Sequence, residues 1–213
     1  MEFNRLLSSA ISAYGEPKLS SETVEDKLIE KQKPISNKNY FLITDIKQID
    51  EWIKEAEETG ELAVDTETNS LDPHQADLVG ISLSSKVGKA CYIPIGHKSS
   101  KCINKNDVIK KLKPLLEDPS VKKIGQNIKF DFIVLFKQGI EMTSMEDTML
   151  MSYVLDAGKN RHNMDTLSEI HLGHKTISFK EIVGTGKKEI NFSEVEIDRA
   201  KDYAAEDADI TFR

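Results

Sequence analysis

This chain of 213 residues has only two cysteines, no long apolar run and no excess of positive charge. Its two cysteines, Cys91 and Cys102, stand in no C-x-x-C or Cys/His spacing, which argues against a zinc site or a disulfide framework. We therefore expect reduced thiols and a cytoplasmic setting. Because no run reaches about 18 apolar residues, we also expect no membrane-spanning segment.

The net charge is −7, opposite in sign to that of a protein that binds nucleic acid by charge alone. Such binding depends on neutralising phosphates and releasing counterions, which requires a basic surface. The charge thus argues against an architectural DNA-binding protein. It does not argue against a nuclease, whose carboxylates serve to hold metal ions. An ordinary acidic protein without a metal site would also have such a charge.

Residues 1–40 differ in composition from the rest of the chain. They hold six acidic and six basic residues, several serines, and Pro17 and Pro34, with only short apolar patches. We interpret them as a linker or N-terminal extension with one or two weak helices. Residues 41–213 then form a single domain.

Alternating strand and helix signals run through residues 41–213. Apolar runs between turn-forming residues predict strands at 41–43, 62–66, 78–84, 90–95 and 121–125, the middle three as an antiparallel meander. Helical periodicity predicts helices over 46–58, 108–116, 128–137, 146–155, 165–172 and 194–212, with Asn106 as N-cap of the second. This order predicts an α/β fold in which helices pack on a mixed sheet.

Asp65 and Glu67 end one of the predicted strands. Since residues i and i+2 of a strand share a face, both carboxylates point the same way, opposite Leu62 and Val64. Two carboxylates about 4 Å apart repel by roughly 4 kcal/mol at an effective dielectric of 20. A divalent cation would offset this repulsion directly, although a solvated strand end explains an isolated acid pair equally well.

Two further pairs stand four residues apart on predicted helices, Asn127 with Asp131 and Tyr203 with Asp207. That spacing places both members of a pair on one helix face. Each pair has a simpler interpretation: Asn127 as an N-cap followed by a surface acid, and Asp207 on a solvated acidic face. Taken alone, neither pair indicates a site.

Together the three motifs resemble, in type and order, those of the proofreading 3′→5′ exonucleases of the ribonuclease H-like superfamily, in the subgroup with tyrosine in the third motif. The version in bacterial DNA polymerase I is the most similar. The stretches that carry the resemblance are 65–72, 124–131, 146–150, 161–165 and 174–179. The resemblance implies a ribonuclease H-like mixed β-sheet with helices packed on both faces.

The resemblance also implies the roles of individual residues. Asp65, Glu67, Asp131 and Asp207 would bind two Mg²⁺ or Mn²⁺ ions, and Tyr203 would orient the attacking water. Leu71 and Phe179 would wedge against the terminal bases, and Asn127 and Phe130 would contact the frayed strand, although core packing is the simpler interpretation of Leu71 and Phe179. Candidate phosphate contacts are Lys122, Lys123, Lys129, His162, Lys175, Lys187 and Lys188.

The function implied is removal of nucleotides from 3′ ends of single-stranded or mispaired DNA. The implied partner is a polymerase domain in the same polypeptide, and the implied location is the nucleoid-associated bacterial cytoplasm. Three alternatives stay open: a catalytically weak structural module of a larger polymerase, a 3′→5′ exoribonuclease, and an unrelated acidic α/β protein.

Overall fold

A six-stranded mixed sheet forms the centre of the domain. The computed structural model describes residues 11–13, 15, 35–98 and 102–213, so most of the predicted linker at 1–40 lies outside the described residues. The strands are Tyr40–Leu42 (β1), Glu61–Thr68 (β2), Leu78–Lys86 (β3), Lys89–Pro94 (β4), Lys122–Gly125 (β5) and Met145–Asp147 (β6), in the spatial order β1-β4-β3-β2-β5-β6. Strands β2, β3 and β4 form the predicted antiparallel meander, whereas β1, β5 and β6 pair in parallel with their neighbours.

Helices cover both faces of this sheet, as the resemblance implied. They are Ile49–Thr59 (α1), Lys105–Glu117 (α2), Lys129–Phe136 (α3), Thr148–Asp156 (α4), Met164–Leu167 (α5), Phe179–Val183 (α6) and Ile197–Phe212 (α7), with a single π-helical turn after α5. None of the helices in the described part of the chain combines the length and apolar character needed to cross a membrane.

The two faces are packed in different ways. On one face, Trp52 of α1 and Leu112 of α2 join Leu62 and Val64 of β2 in the main apolar core. On the other face, α7 lies against the sheet through buried alanines, which let the helix backbone approach closely; they are Ala200, Ala204, Ala205 and Ala208. The side chains of Asp65 and Glu67 point to this second face.

Helix α7 is not a solvated acidic face. Asp209 has no exposed surface and accepts hydrogen bonds from the Tyr40 hydroxyl (2.8 Å) and the Gly88 amide (2.7 Å). The Arg213 guanidinium donates to the same carboxylate at 3.2 Å. This acid therefore fixes α7 to β1 and to the turn between β3 and β4.

Four local predictions were wrong. The helix expected from residue 146 starts at Thr148, because residues 145–147 are drawn into the sheet by pairing with β5. Helix α2 is capped by Asn104 and not by Asn106; the Asn104 side chain accepts hydrogen bonds from the amides of Asn106 and Asp107.

Asn127 lies before α3 in the left-handed region (φ 60°), so it neither shares a helix face with Asp131 nor caps the helix. The last helix also begins later than expected, at Ile197 after a separate turn at Phe192–Glu194.

Candidate metal centre

A cleft of about 930 Å³ opens beside the end of β2, between α3 and α7, and all nine predicted site residues line it. The strand supplies Asp65 and Glu67, α3 supplies Asp131 in its first turn, and α7 supplies Tyr203 and Asp207. Three motifs that are up to 142 residues apart in sequence thus meet in one place.

Asp65, Glu67 and Asp207 form the closest group of acids. Each offers a carboxylate oxygen that lies within 4.8 Å of those of the other two. Glu67 and Asp207 are buried and Asp65 is half-buried. The spacing is that of oxygens that can share one cation.

Asp131 stands beside this group and is held by β2 itself. Its Oδ1 accepts the backbone amide of Thr66 at 2.9 Å and the Thr66 hydroxyl at 2.6 Å. Thr66 lies between the two strand acids with its side chain on the other face of β2, so it orients the acid of α3. Thr66 was not predicted from the sequence, where its place inside the D-T-E triplet is the only signal.

Burial raises the pKa values of all four acids, and repulsion by neighbouring carboxylates adds to it in Glu67, Asp131 and Asp207. Burial raises the pKa of Asp65 to about 6. The pKa of Glu67 lies well above its usual range because of burial and then the charges of Asp65, Asp207 and Asp131. Burial, followed by the charge of Asp65, does the same for Asp131 and Asp207. Four acids in such surroundings are poorly stabilised as anions by the protein alone.

The cleft fits a hard divalent cation. No lysine, arginine or histidine is among the described residues that line it, so no side-chain cation offsets the acids there. The Oε1 atom of Glu67 is buried and has no hydrogen-bond partner among the described residues. An all-oxygen donor set suits Mg²⁺ or Mn²⁺, whereas zinc sites favour nitrogen and sulfur.

Tyr203 lies one turn before Asp207, and its hydroxyl lies close to that carboxylate. Burial and then the charge of Asp207 raise the pKa of the phenol far above its usual value, so it stays protonated at neutral pH. Its ring belongs to an aromatic cluster with Phe179 and Phe192, at centroid distances of 6.2 and 6.0 Å. Tyr203 can therefore donate a hydrogen bond in the cleft but cannot act as a base.

The four residues predicted to contact the DNA strand line the same cleft as the acids; they are Leu71, Asn127, Phe130 and Phe179. Leu71 is 90% exposed, which excludes core packing for this residue. Phe179 is 41% exposed and stacks on Phe192 with the ring planes 8° apart. Asn127 and Phe130 line the cleft as well, and Phe130 is half-buried against the main core.

None of the basic residues expected as phosphate contacts is among the described residues that line this cleft. Lys123 is fully buried, and its ammonium donates to the carbonyls of Asp118 and Val121, both at 2.6 Å. Its assignment as a phosphate contact was wrong, because it completes the turn before β5. Lys122 pairs with Glu61, and His162 is buried against the ring of Tyr153. The side chain of Lys187 lies outside the described residues.

Gly80 and Tyr92 are further residues that the sequence analysis missed. Gly80 pairs with Glu67 across the sheet, and the ring of Tyr92 occupies the space where a side chain at position 80 would lie. Any larger residue at position 80, opposite Glu67, would displace the Tyr92 ring. The signal in the sequence is a glycine inside an otherwise apolar strand, which often marks a close approach.

Comparison with known proteins agrees with this geometry. The 3′–5′ exonuclease family matches residues 40–213. DNA polymerase I of Rhizobium leguminosarum is 45% identical over 201 residues, which make up 84% of this chain and 20% of that protein. The chain spans about a fifth of the length of the curated relatives that it matches most strongly.

Solved structures show the same fold at lower identity. Brucella melitensis NrnC with bound Mg²⁺ has a TM-score of 0.54 and 24% identity, covering 83% of this chain and 71% of that chain. Escherichia coli RNase D, an exoribonuclease involved in structured RNA processing, has a TM-score of 0.60 and 18% identity, covering 81% and 42%. With the family match over residues 40–213, these likenesses establish that the chain belongs to the 3′–5′ exonuclease family represented in bacterial DNA polymerase I, with a ribonuclease H-like fold.

Proposed function

We propose that this domain removes nucleotides one at a time from the 3′ end of single-stranded or mispaired DNA, in a reaction that requires two divalent metal ions. The observation that carries the proposal is the set of four clustered acids, with no basic side chain among the described cleft residues and an unpartnered oxygen on Glu67. DNA is favoured over RNA as substrate because the 45% identical relative is a DNA polymerase I.

Two Mg²⁺ or Mn²⁺ ions, when bound, would lower the pKa of the attacking water and stabilise charge on the leaving oxygen. Glu67 and Asp207 would hold the first ion, Asp131 the second, and Asp65 would contact both. Water attacks phosphorus, the bond from phosphorus to the 3′ oxygen breaks, and the strand leaves with a new 3′ hydroxyl. The products are a 5′-mononucleotide and a DNA strand shorter by one nucleotide.

Tyr203 would orient the attacking water. Its raised pKa keeps the hydroxyl proton in place at neutral pH, and the nearby Asp207 carboxylate would fix the direction of the hydroxyl. A phenol held in this way can accept or donate a hydrogen bond without taking the proton of the water. Positioning of this kind lowers the barrier by holding reactants in the reactive geometry.

Leu71 and Phe179 would hold the terminal bases of the unpaired end. Both are exposed in the cleft that contains the acids. A base stacked on an aromatic ring gains about 1–3 kcal/mol with little regard to its identity. Such contacts suit an editing site, which must accept every mispaired base.

We also propose that a polymerase domain belongs to the same polypeptide as this domain. The location proposed for the protein is the bacterial cytoplasm, at the nucleoid. The support is the fraction of the relatives' length that the chain spans, about one fifth. A structural module without activity is disfavoured because all four acids of the three motifs are present and clustered.

A nuclease assay on a 5′-labelled single-stranded oligonucleotide tests the function. With Mg²⁺ or Mn²⁺ we expect a ladder of products shortened from the 3′ end, and with chelator no cleavage. Asp65→Asn should lower the rate by more than about 100-fold, beyond what loss of an outer-shell partner usually costs.

Asp107→Asn is the matched control, because Asp107 is an exposed acid of α2 outside the cleft. It should cleave at the wild-type rate. Full activity in chelator would contradict the metal requirement. Faster cleavage of an RNA oligonucleotide of the same sequence would favour the exoribonuclease instead.

A further inference from the structure

One buried carboxylate outside the catalytic cluster joins three parts of the domain. Asp147, the last residue of β6, accepts four backbone N–H groups. Two come from the loop before α3: Asn127 at 3.0 Å and Ile128 at 3.1 Å. The other two come from the first turn of α4: Met149 at 2.9 Å and Leu150 at 3.3 Å.

The loop that Asp147 holds is in an unfavourable conformation. Asn127 has φ 60°, in the left-handed region that residues other than glycine seldom adopt. Such conformations persist where the surroundings impose them, and they concentrate at functional sites. Parallel pairing of Gly125 with Asp147 places the carboxylate beside this loop. The hydrogen bonds to Asn127 and Ile128 then fix the left-handed turn.

The position of this turn bears directly on the cleft. Asn127 lines the cleft, and α3 begins two residues later with Asp131 in its first turn. A shift of the turn would move Asn127 and the start of α3 together. Asp131 would then lose its alignment with Thr66, whose two hydrogen bonds require a fixed distance between β2 and α3.

We propose that Asp147 is a positioning residue for the exonuclease reaction, which sets Asn127 and Asp131 in place by holding the loop between β5 and α3. The inference rests on the proposed function for its effect on catalysis. Only a carboxylate, with two acceptor oxygens, can accept N–H groups from the loop before α3 and from the first turn of α4 at the same time. Oδ1 accepts Asn127, Met149 and Leu150, while Oδ2 accepts Ile128.

Three substitutions separate the role in the loop from the role as helix cap. Asp147→Ser keeps a good N-cap for α4 but is too short to hold the loop. Asp147→Asn keeps an oxygen at one position and presents an amide N–H₂ to the other, so it should retain part of the function. Asn104→Ala is the control, because it removes a cap that accepts two amides at α2, away from the cleft.

The first measurement is amide hydrogen exchange in the metal-free chain, which does not depend on activity. In Asp147→Ser the amides of Asn127 and Ile128 should exchange roughly 10-fold faster or more, while those of Met149 and Leu150 keep their protection. The second measurement is Mn²⁺ affinity by calorimetry without DNA. The third is the split between kcat and KM on a single-stranded oligonucleotide.

For Asp147→Ser we expect Mn²⁺ affinity and kcat each to fall by roughly 10–100-fold, the usual effect of losing an outer-shell partner. Asp147→Asn should lie between this variant and the wild type, and Asn104→Ala should match the wild type in both. Unchanged exchange at Asn127 and Ile128 would overturn the proposal, as would equal losses in Asp147→Ser and Asn104→Ala. A wild-type chain without metal-dependent cleavage would overturn the proposed function, and exchange with Mn²⁺ affinity would still decide the role of Asp147.

Discussion

At the scale of single residues, four acids within one cleft oppose folding unless protons or cations accompany them. Burial raises the pKa of Asp65 from 3.8 to about 6, and Glu67, Asp131 and Asp207 are raised well above their usual values. The folded chain therefore binds more protons than the unfolded chain between about pH 4 and neutrality. Stability that is present at low pH is lost as the pH rises through these folded-state values.

We expect the metal-free chain to unfold at lower temperature at pH 8 than at pH 5.5. For Asp65 alone the full shift corresponds to about 3 kcal/mol, at about 1.4 kcal/mol per pKa unit. Most of it is already lost below pH 5.5, so the loss between pH 5.5 and pH 8 is about 1 kcal/mol. Mg²⁺ should restore stability at pH 8 and have little effect at pH 5.5, where protons compete for the carboxylates. Thermal denaturation at both pH values, with and without Mg²⁺, checks this. A metal-free chain with the same stability at both values would contradict the burial of these acids.

Tyr203 allows a second prediction at this scale. Tyr203→Phe keeps the ring among Phe179 and Phe192 but removes the hydroxyl that would orient the water. We expect kcat to fall by roughly 10–100-fold with little change in KM, because the ions still activate the water. Tyr153→Phe, at an exposed tyrosine of α4, serves as control. An unchanged kcat in Tyr203→Phe would make the tyrosine a packing residue only.

At the scale of elements, we expect the rim of the cleft to produce a preference for unpaired DNA ends. Leu71 lies in the connection between β2 and β3, and Phe179 begins α6. A paired end must first fray, at a cost of about 1.4 kcal/mol per stacked step, before it can reach these residues. Single strands and mispaired ends should therefore be cut faster than paired ends.

Phe179→Ala should lower kcat/KM on single strands by roughly 5–100-fold, the equivalent of one lost stacking contact of about 1–3 kcal/mol. Leu71→Ala should act in the same direction. Mn²⁺ affinity should not change in either variant, because neither side chain is a ligand. Phe136→Ala is the control, since Phe136 is exposed outside the cleft. Equal rates on blunt duplex and single strand would contradict the wedge assignment.

The elements also show how far the sequence could be interpreted. The meander was predictable because turn-forming residues separate its three apolar strands. Local spacing placed Asp65 with Glu67 and Tyr203 with Asp207, and the resemblance to the exonuclease motifs made them site candidates. Strand β6 was not predictable, because its three residues are extended only through pairing with β5. Thr66 and Asp147 were missed for the same reason: what they do depends on partners far away in sequence.

At the scale of the whole molecule, acidic charge and the basic residues are arranged against strong binding of DNA. The net charge is −7, and no basic side chain is among the described residues of the cleft. Several lysines instead pair with acids elsewhere, such as Lys98 with Glu194 and Lys111 with Asp50. We therefore expect the domain to recognise a DNA end by metal ions and stacking, with little general attraction for the phosphate backbone.

A polymerase domain in the same polypeptide would supply the attraction that this domain lacks. By holding the duplex, it would raise the local concentration of the 3′ end at the cleft, as tethering does for any weak second site. Alone, the chain should bind single-stranded oligonucleotides with an affinity in the range of non-specific binding, about 10⁻⁴–10⁻⁶ M near physiological salt, and should weaken further as salt rises. Steady-state kinetics at three salt concentrations, with Mg²⁺ held constant, measure this through kcat/KM. Because chemistry at the ions does not depend on bulk attraction, kcat at saturating oligonucleotide should stay nearly constant across the series. Tight binding that does not change with salt would show that the chain carries a complete DNA-binding surface of its own, and tethering would then be unnecessary for its activity.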